Sequence, residues 1–179
     1  MGAYDVVVGL AADAHGLVRA EDATREGVTA VALHRLAQDQ RLERIAHGLY
    51  HVRAVPFDRL TPYMEAVLWA RGVGVISHAS ALEMQELCDI LPRRIHLTVP
   101  RAYNPRKAGH DQYHVHRLTL PPDAITNYEG VPVVTAATAI TQALADGEDR
   151  EQLRLAVRNA SQRGLLLRRE AARLWPRLR

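Results

Sequence analysis

The sequence predicts an α+β protein in two parts. Residues 1–54 form a small helical unit closed by a hairpin, and residues 58–179 form a mixed α+β domain with a small sheet and C-terminal helices. Three observations predict this. Apolar residues recur at helical spacing up to residue 40 and then shift towards polar–apolar alternation across Arg41–Ile45, where a helix gives way to a strand. Pro56 and Pro62 break the periodicity between the two parts. Beyond them, short alternating runs are interspersed with alanine-rich helical stretches, the pattern of an α+β domain.

Each element follows from local chemistry. Tyr4–Ala14 reads as a helix whose apolar face is Val7, Val8, Leu10 and Ala11, with Gly16 placed to end it. Leu17 and Val18 can form a short edge strand, Ala20–Arg25 a second helix, and Gly27 punctuates the chain. Thr29 is a suitable N-cap for a third helix, and Val28 before it can staple onto Leu33. Leu33, Leu36 and Ala37 then face inward, and Ala30, His34, Arg35 and Gln38 lie on another face. Arg41–Ile45 and Leu49–Val52 read as two strands joined at Ala46-His47-Gly48, with Gly48 free to take a positive φ. Helix, turn, helix and hairpin in this order make a winged helix-turn-helix, a unit able to carry a helix into the DNA major groove.

In that reading Arg35 would contact guanine, Gln38 adenine and Ala30 a thymine methyl, with His34 at a base edge or phosphate and Thr29 at the helix start. Arg44 and His47 on the wing would hold the phosphate backbone. The same face also suits an ordinary solvated helix.

In the second part Thr61 is expected to cap a helix with Pro62 at its first position, running to about Arg71. A turn at Gly72 leads into a short strand, and Ser77 opens a helix that ends before Pro92. Arg94–Val99, Tyr113–Leu118 and Gly130–Thr135 read as strands, and Ala102–Gly109 as a basic loop carrying Arg106 and Lys107. Thr135 begins a helix to about Ala145, and helices over about Arg150–Gln162 and Arg168–Arg177 follow.

Composition narrows the function classes. The single cysteine excludes an intramolecular disulfide and any multi-cysteine zinc site. No apolar run approaches the ~20 residues that span a bilayer, and the N-terminus lacks the basic-then-apolar pattern of a secretory signal. A cytoplasmic protein without a membrane partner is expected. The net charge of +3 is unevenly spread. Residues 1–57 hold six basic and seven acidic side chains, whereas residues 150–179 hold nine and two. The proposed DNA-binding part is therefore not basic, which weakens the electrostatic argument for it. Arg150, Arg154 and Arg158, spaced i, i+4, i+8, make a basic stripe on one helix that would suit phosphates or an acidic partner, or simply solvent.

Nine histidines raise the question of metal or catalysis. His110, His114 and His116 are the densest group, and in a strand His114 and His116 share a face. No cysteine lies near and Asp111 is the one nearby carboxylate, so a polar strand face is the preferred reading over zinc ligands or a metal-dependent enzyme. His78, Ser80 and Glu83 sit at a helix start, where Ser77 or Ser80 suits a cap better than a nucleophile. No G-x-S-x-G, H-E-x-x-H, P-loop or dinucleotide fingerprint is present. Neither cofactor, metal nor catalysis is expected.

The residues also carry a resemblance. The hairpin ending in HGLYHV, then VISHASAL, ILPRRIHLTVPR, YHVHRL and GVPVVTAATAI, occur in the order seen in the AbiEi-type antitoxins, across roughly residues 15–145. The chain resembles that family of transcriptional regulators from type IV toxin–antitoxin pairs. The resemblance implies that the N-terminal winged helix binds inverted repeats in the chain's own double-stranded promoter DNA, giving negative autoregulation; with so little charge in the first part, holding DNA calls for a dimer on DNA or for phosphate contacts from the second domain. It implies that the second domain opposes a cognate nucleotidyltransferase-like toxin. One departure stands out: the position before Gly48 usually carries arginine in this family, and here it is His47. The rival reading is a protein–protein interaction module that uses the winged helix as a docking surface without binding DNA.

Overall fold

The computed structural model describes residues 2–103 and 110–179. The chain folds as two compact units, Met1–Gly72 and Val73–Arg179.

The first unit begins with helix α1 (Ala3–Ala12), where the Asp5 carboxylate accepts from the Gly2 N–H at 2.8 Å. The helix ends before the residue expected from sequence, and a tight turn follows in which the Gly16 N–H reaches back to the Ala11 carbonyl at 2.9 Å. Gly16 has φ +82°, and a Cβ there would lie 2.9 Å from His51 Nε2, so both conformation and space require glycine. Strand β1 (Leu17–Arg19), helix α2 (Ala20–Arg25) and helix α3 (Ala30–Gln38) come next. Strands β2 (Leu42–Ala46) and β3 (Leu49–Val52) form the hairpin. The three strands make an antiparallel sheet in the order β1-β3-β2, with β3 central. Its core is Val7, Ala11, Val18, Ala23, Val28, Leu33, Leu36, Leu42 and Val52, one or two residues from each of α1–α3 and β1–β3 with Val28 from the turn before α3.

Helix α4 (Thr61–Trp69) belongs to this unit. The Arg19 guanidinium, paired with Asp22, also donates to the Arg71 carbonyl at 2.7 Å and so fastens the end of α4 to β1. The sequence reading, which begins the second domain at 58, follows the proline-rich connector; compactness divides the chain after α4 instead. The expected cap also differs. Leu60 holds the N-cap position without a side-chain cap and Thr61 is the first helical residue, while Asp58 Oδ1 accepts from the backbone N–H groups of Leu60 and Thr61 at 2.7 and 2.9 Å.

The second unit is a five-stranded mixed sheet in the order β6-β5-β4-β8-β7 with helices packed on it. Its strands are β4 (Val75–Ile76), β5 (Ile95–Val99), β6 (Tyr113–Arg117), β7 (Ile125–Tyr128) and β8 (Val131–Val134). β5 and β6 run parallel, as do β4 and β8; the other two pairings are antiparallel. Helix α5 (His78–Met84) packs against α6 (Ala136–Ala145), which Thr135 caps through Oγ1. Helix α7 (Arg150–Gln162) follows, with Leu153, Ala156 and Val157 fully buried as its spacing predicts. Helix α8 (Arg168–Leu174) passes into a 3-10 turn (Trp175–Leu178) because Pro176 withholds a backbone donor. The strand β7 was not expected, since Ile125-Thr-Asn-Tyr offers little apolar pattern and is an exposed edge. No helix among the described residues is long and apolar enough to cross a membrane.

Candidate nucleic-acid interface and a histidine cluster

The outer face of α3 is built from its cap outward. Thr29 Oγ1 accepts from the Ala32 N–H at 3.1 Å and fixes the first turn. Leu33 and Leu36 sink into the core, and 3.6-residue geometry then turns Ala30, His34, Arg35 and Gln38 to solvent. Val31 joins that face at 78% exposure, a large apolar group on a polar surface. The sequence reading passed over Val31, although its i, i+3, i+4 relation to His34 and Arg35 could have included it. No side-chain hydrogen bond or ion pair engages His34, Arg35 or Gln38 among the described residues.

The hairpin tip gathers the other two candidates. Arg44 donates to the Ala46 carbonyl at 3.4 Å, and its guanidinium lies 3.2 Å from His47 Nδ1. Both side chains are exposed, and Gly48 turns the chain at φ +68°. Beneath the sheet the contrast is sharp: His51 is 2% exposed, stacked on Phe57 at 3.8 Å, with both ring nitrogens buried. Burial pushes its pKa below the usual histidine value.

The basic candidates of the second unit divide. Arg106 and Lys107 lie outside the described residues. Arg150 donates to the Arg179 carbonyl. Arg154 donates to the Leu178 carbonyl at 2.9 Å and pairs with Glu151. Two of the three stripe residues are therefore occupied in holding the last turn, where unsatisfied carbonyls attract donors. Arg158 remains exposed.

The histidines of this unit converge more than their spacing suggests. His96 on β5 stands opposite His114 on β6, and His116 opposite Thr98. His116 Nε2 lies 3.1 Å from His96 Nδ1. His78, first residue of α5, stacks its ring on His116 at 3.5 Å, and the exposed His114 stacks on His116 at 4.4 Å and lies tilted to His96 at 4.6 Å. The side chain of His110 lies outside the described residues. Ser77 holds the N-cap position of α5, but neither its side chain nor that of Ser80 makes the expected capping bond. Ser77 Oγ instead lies 2.9 Å from His78 Nδ1 and accepts from Thr98 at 2.8 Å, and Ser80 Oγ accepts from the His96 N–H at 2.9 Å. Burial, then neighbouring imidazoles, lowers the pKa of His78 to about 4 and of His116 to about 3. Linear sequence cannot reveal that residues 78, 96 and 116 meet; the shared I-H/Y-H-V-H strand pattern was the one available signal.

Comparisons with known proteins bear on the first unit. None of the curated proteins matches the chain. A crystal structure described as the RV2827C protein from Mycobacterium tuberculosis aligns over 99% of this chain and 82% of its own, at 18% identity and a TM-score of 0.47. Residues 6–52, from α1 to the end of β3, match the family described as transcriptional regulator, AbiEi antitoxin.

Proposed function

We propose that this chain is an autoregulatory antitoxin of the AbiE type. It represses its own promoter by sequence-specific binding to inverted repeats, and it opposes a nucleotidyltransferase-like toxin through its second unit. In this reading the first unit is a winged helix-turn-helix, with α3 the reading helix and the β2–β3 hairpin the wing. The observation that carries it is the family match over residues 6–52 together with an outer face on α3 whose Arg35 and Gln38 are not engaged elsewhere among the described residues. The chain acts by binding and carries no catalytic step.

Arg35 is assigned to a base edge, with Gln38, His34 and Ala30 beside it. Arg44 and His47 are assigned to phosphate. Because the first unit carries little net charge, two copies on an inverted repeat would supply the phosphate contacts that one cannot. The rival, a docking module that binds no DNA, rests on the same near-neutral charge and on exposed Val31. Gel shifts with the promoter DNA upstream of the gene separate them. Specific retardation, weakened about 5- to 150-fold by Arg35→Ala (~1–3 kcal/mol), supports the repressor. No retardation at low salt supports the docking module.

A further inference from the structure

The proposed function leaves the histidine cluster of the second unit without a role. We propose that His78, His96 and His116 form a binding site for one divalent transition-metal ion, zinc foremost, which fastens the edge strand β6 and its neighbour β5 to the start of α5.

Three elements each supply one imidazole, and their ligand nitrogens all lie within 4.8 Å of one another. Around a tetrahedral zinc with bonds of about 2.0–2.1 Å, nitrogens sit about 3.3–3.4 Å apart. The His96 Nδ1–His116 Nε2 pair is already at 3.1 Å. His78 closes the remaining gap by turning its ring out of the stack on His116.

The surroundings suit coordination. Ser77 Oγ, which accepts from Thr98, lies 2.9 Å from His78 Nδ1; in the tautomer protonated at Nδ1 it accepts that N–H and leaves Nε2 with the free lone pair, the second-shell arrangement that orients a ligand histidine. His78 holds a left-handed backbone at φ +54°, uncommon outside glycine, and its N–H is tied to Gln142 Oε1 at 3.1 Å. From that position the ring lies against His116 of β6. Asp146 Oδ2, 3.8 Å from His96 Nδ1, brings compensating negative charge. Imidazole donors select zinc and its first-row neighbours over calcium or magnesium, which need oxygen cages. The expected occupancy is structural: β6 is an edge strand held on one side by β5, and a bound ion gives it a second anchor.

The full-length protein, stripped with a chelator, is titrated with zinc by calorimetry and with cobalt(II) by visible absorption. One ion per chain, tetrahedral cobalt bands and a raised melting temperature are expected. His96→Gln and His116→Gln should each weaken binding more than tenfold, while His114→Gln and His47→Gln change it less than threefold. Should the cluster variants fail to fold, ring nitrogen NMR of the wild-type protein identifies the ligands directly, with zinc-induced shifts expected at His78, His96 and His116. Unchanged affinity in folded His96→Gln and His116→Gln proteins, or shifts confined to other histidines, overturns the site.

Discussion

Helices α3 and α7 invite comparison because both present an arginine-bearing face opposite a buried apolar one. On α3 the inner residues Leu33 and Leu36 fix the helix and leave Arg35 facing solvent with no partner among the described residues. On α7 the inner residues Leu153, Ala156 and Val157 do the same, yet Arg150 and Arg154 bend back to the carbonyls of the final turn. The two faces look alike as periodic patterns. They differ because α7 lies beside the carbonyls of Leu178 and Arg179, which accept from its arginines, whereas Arg35 on α3 meets no such acceptor among the described residues. A basic stripe therefore marks a binding surface only where the fold leaves its charges uncommitted.

The largest effects should fall equally on both inner faces. Leu33→Ala and Leu153→Ala should each cost about 2–5 kcal/mol, measured by urea unfolding. A loss below about 1 kcal/mol at either would remove the shared half of the comparison. The outer faces should then part. Arg154→Ala should destabilise the protein by about 1 kcal/mol, the scale of a partly exposed charged hydrogen bond. Arg35→Ala should leave stability within about 0.5 kcal/mol while weakening promoter binding. The reverse pattern would exchange the roles assigned to the two helices. Thr29→Ala should cost about 1 kcal/mol and weaken DNA binding in proportion to the fraying of α3, which circular dichroism and gel shifts read together.

The smallest effect concerns His51, the buried counterpart of the exposed histidines on the same unit. Its pKa is lowered on folding by burial, so the unfolded chain binds more protons around its own pKa. Protonation of His51 therefore costs the fold little above about pH 6.5. It destabilises the fold progressively as pH falls below that value, until the folded-state pKa is passed. Urea unfolding of His51→Leu against wild type from pH 7.5 to 5 should show a shallower decline in the variant. A parallel decline would mean that His51 is protonated equally in both states.

Much of this molecule is written in local sequence. The cap at Thr29, the change of period at Arg41, the turn at Gly48 and the buried stripe of α7 follow from propensity and spacing, because they depend on residues only a few positions apart. The amphipathic face carrying Arg35 and Gln38 and the order of elements in the first unit were legible for the same reason. The tertiary structure alone decided the rest. It brought His78, His96 and His116 together by pairing β5 with β6 and seating α5 over them, and it placed α4 with the first unit through Arg19. It also placed Asp58, through its bonds to the Leu60 and Thr61 N–H groups, at the start of α4 and committed Arg150 and Arg154 to distant carbonyls. These outcomes depend on which unsatisfied groups meet after the chain has closed on itself, and no periodicity in the linear sequence records that meeting.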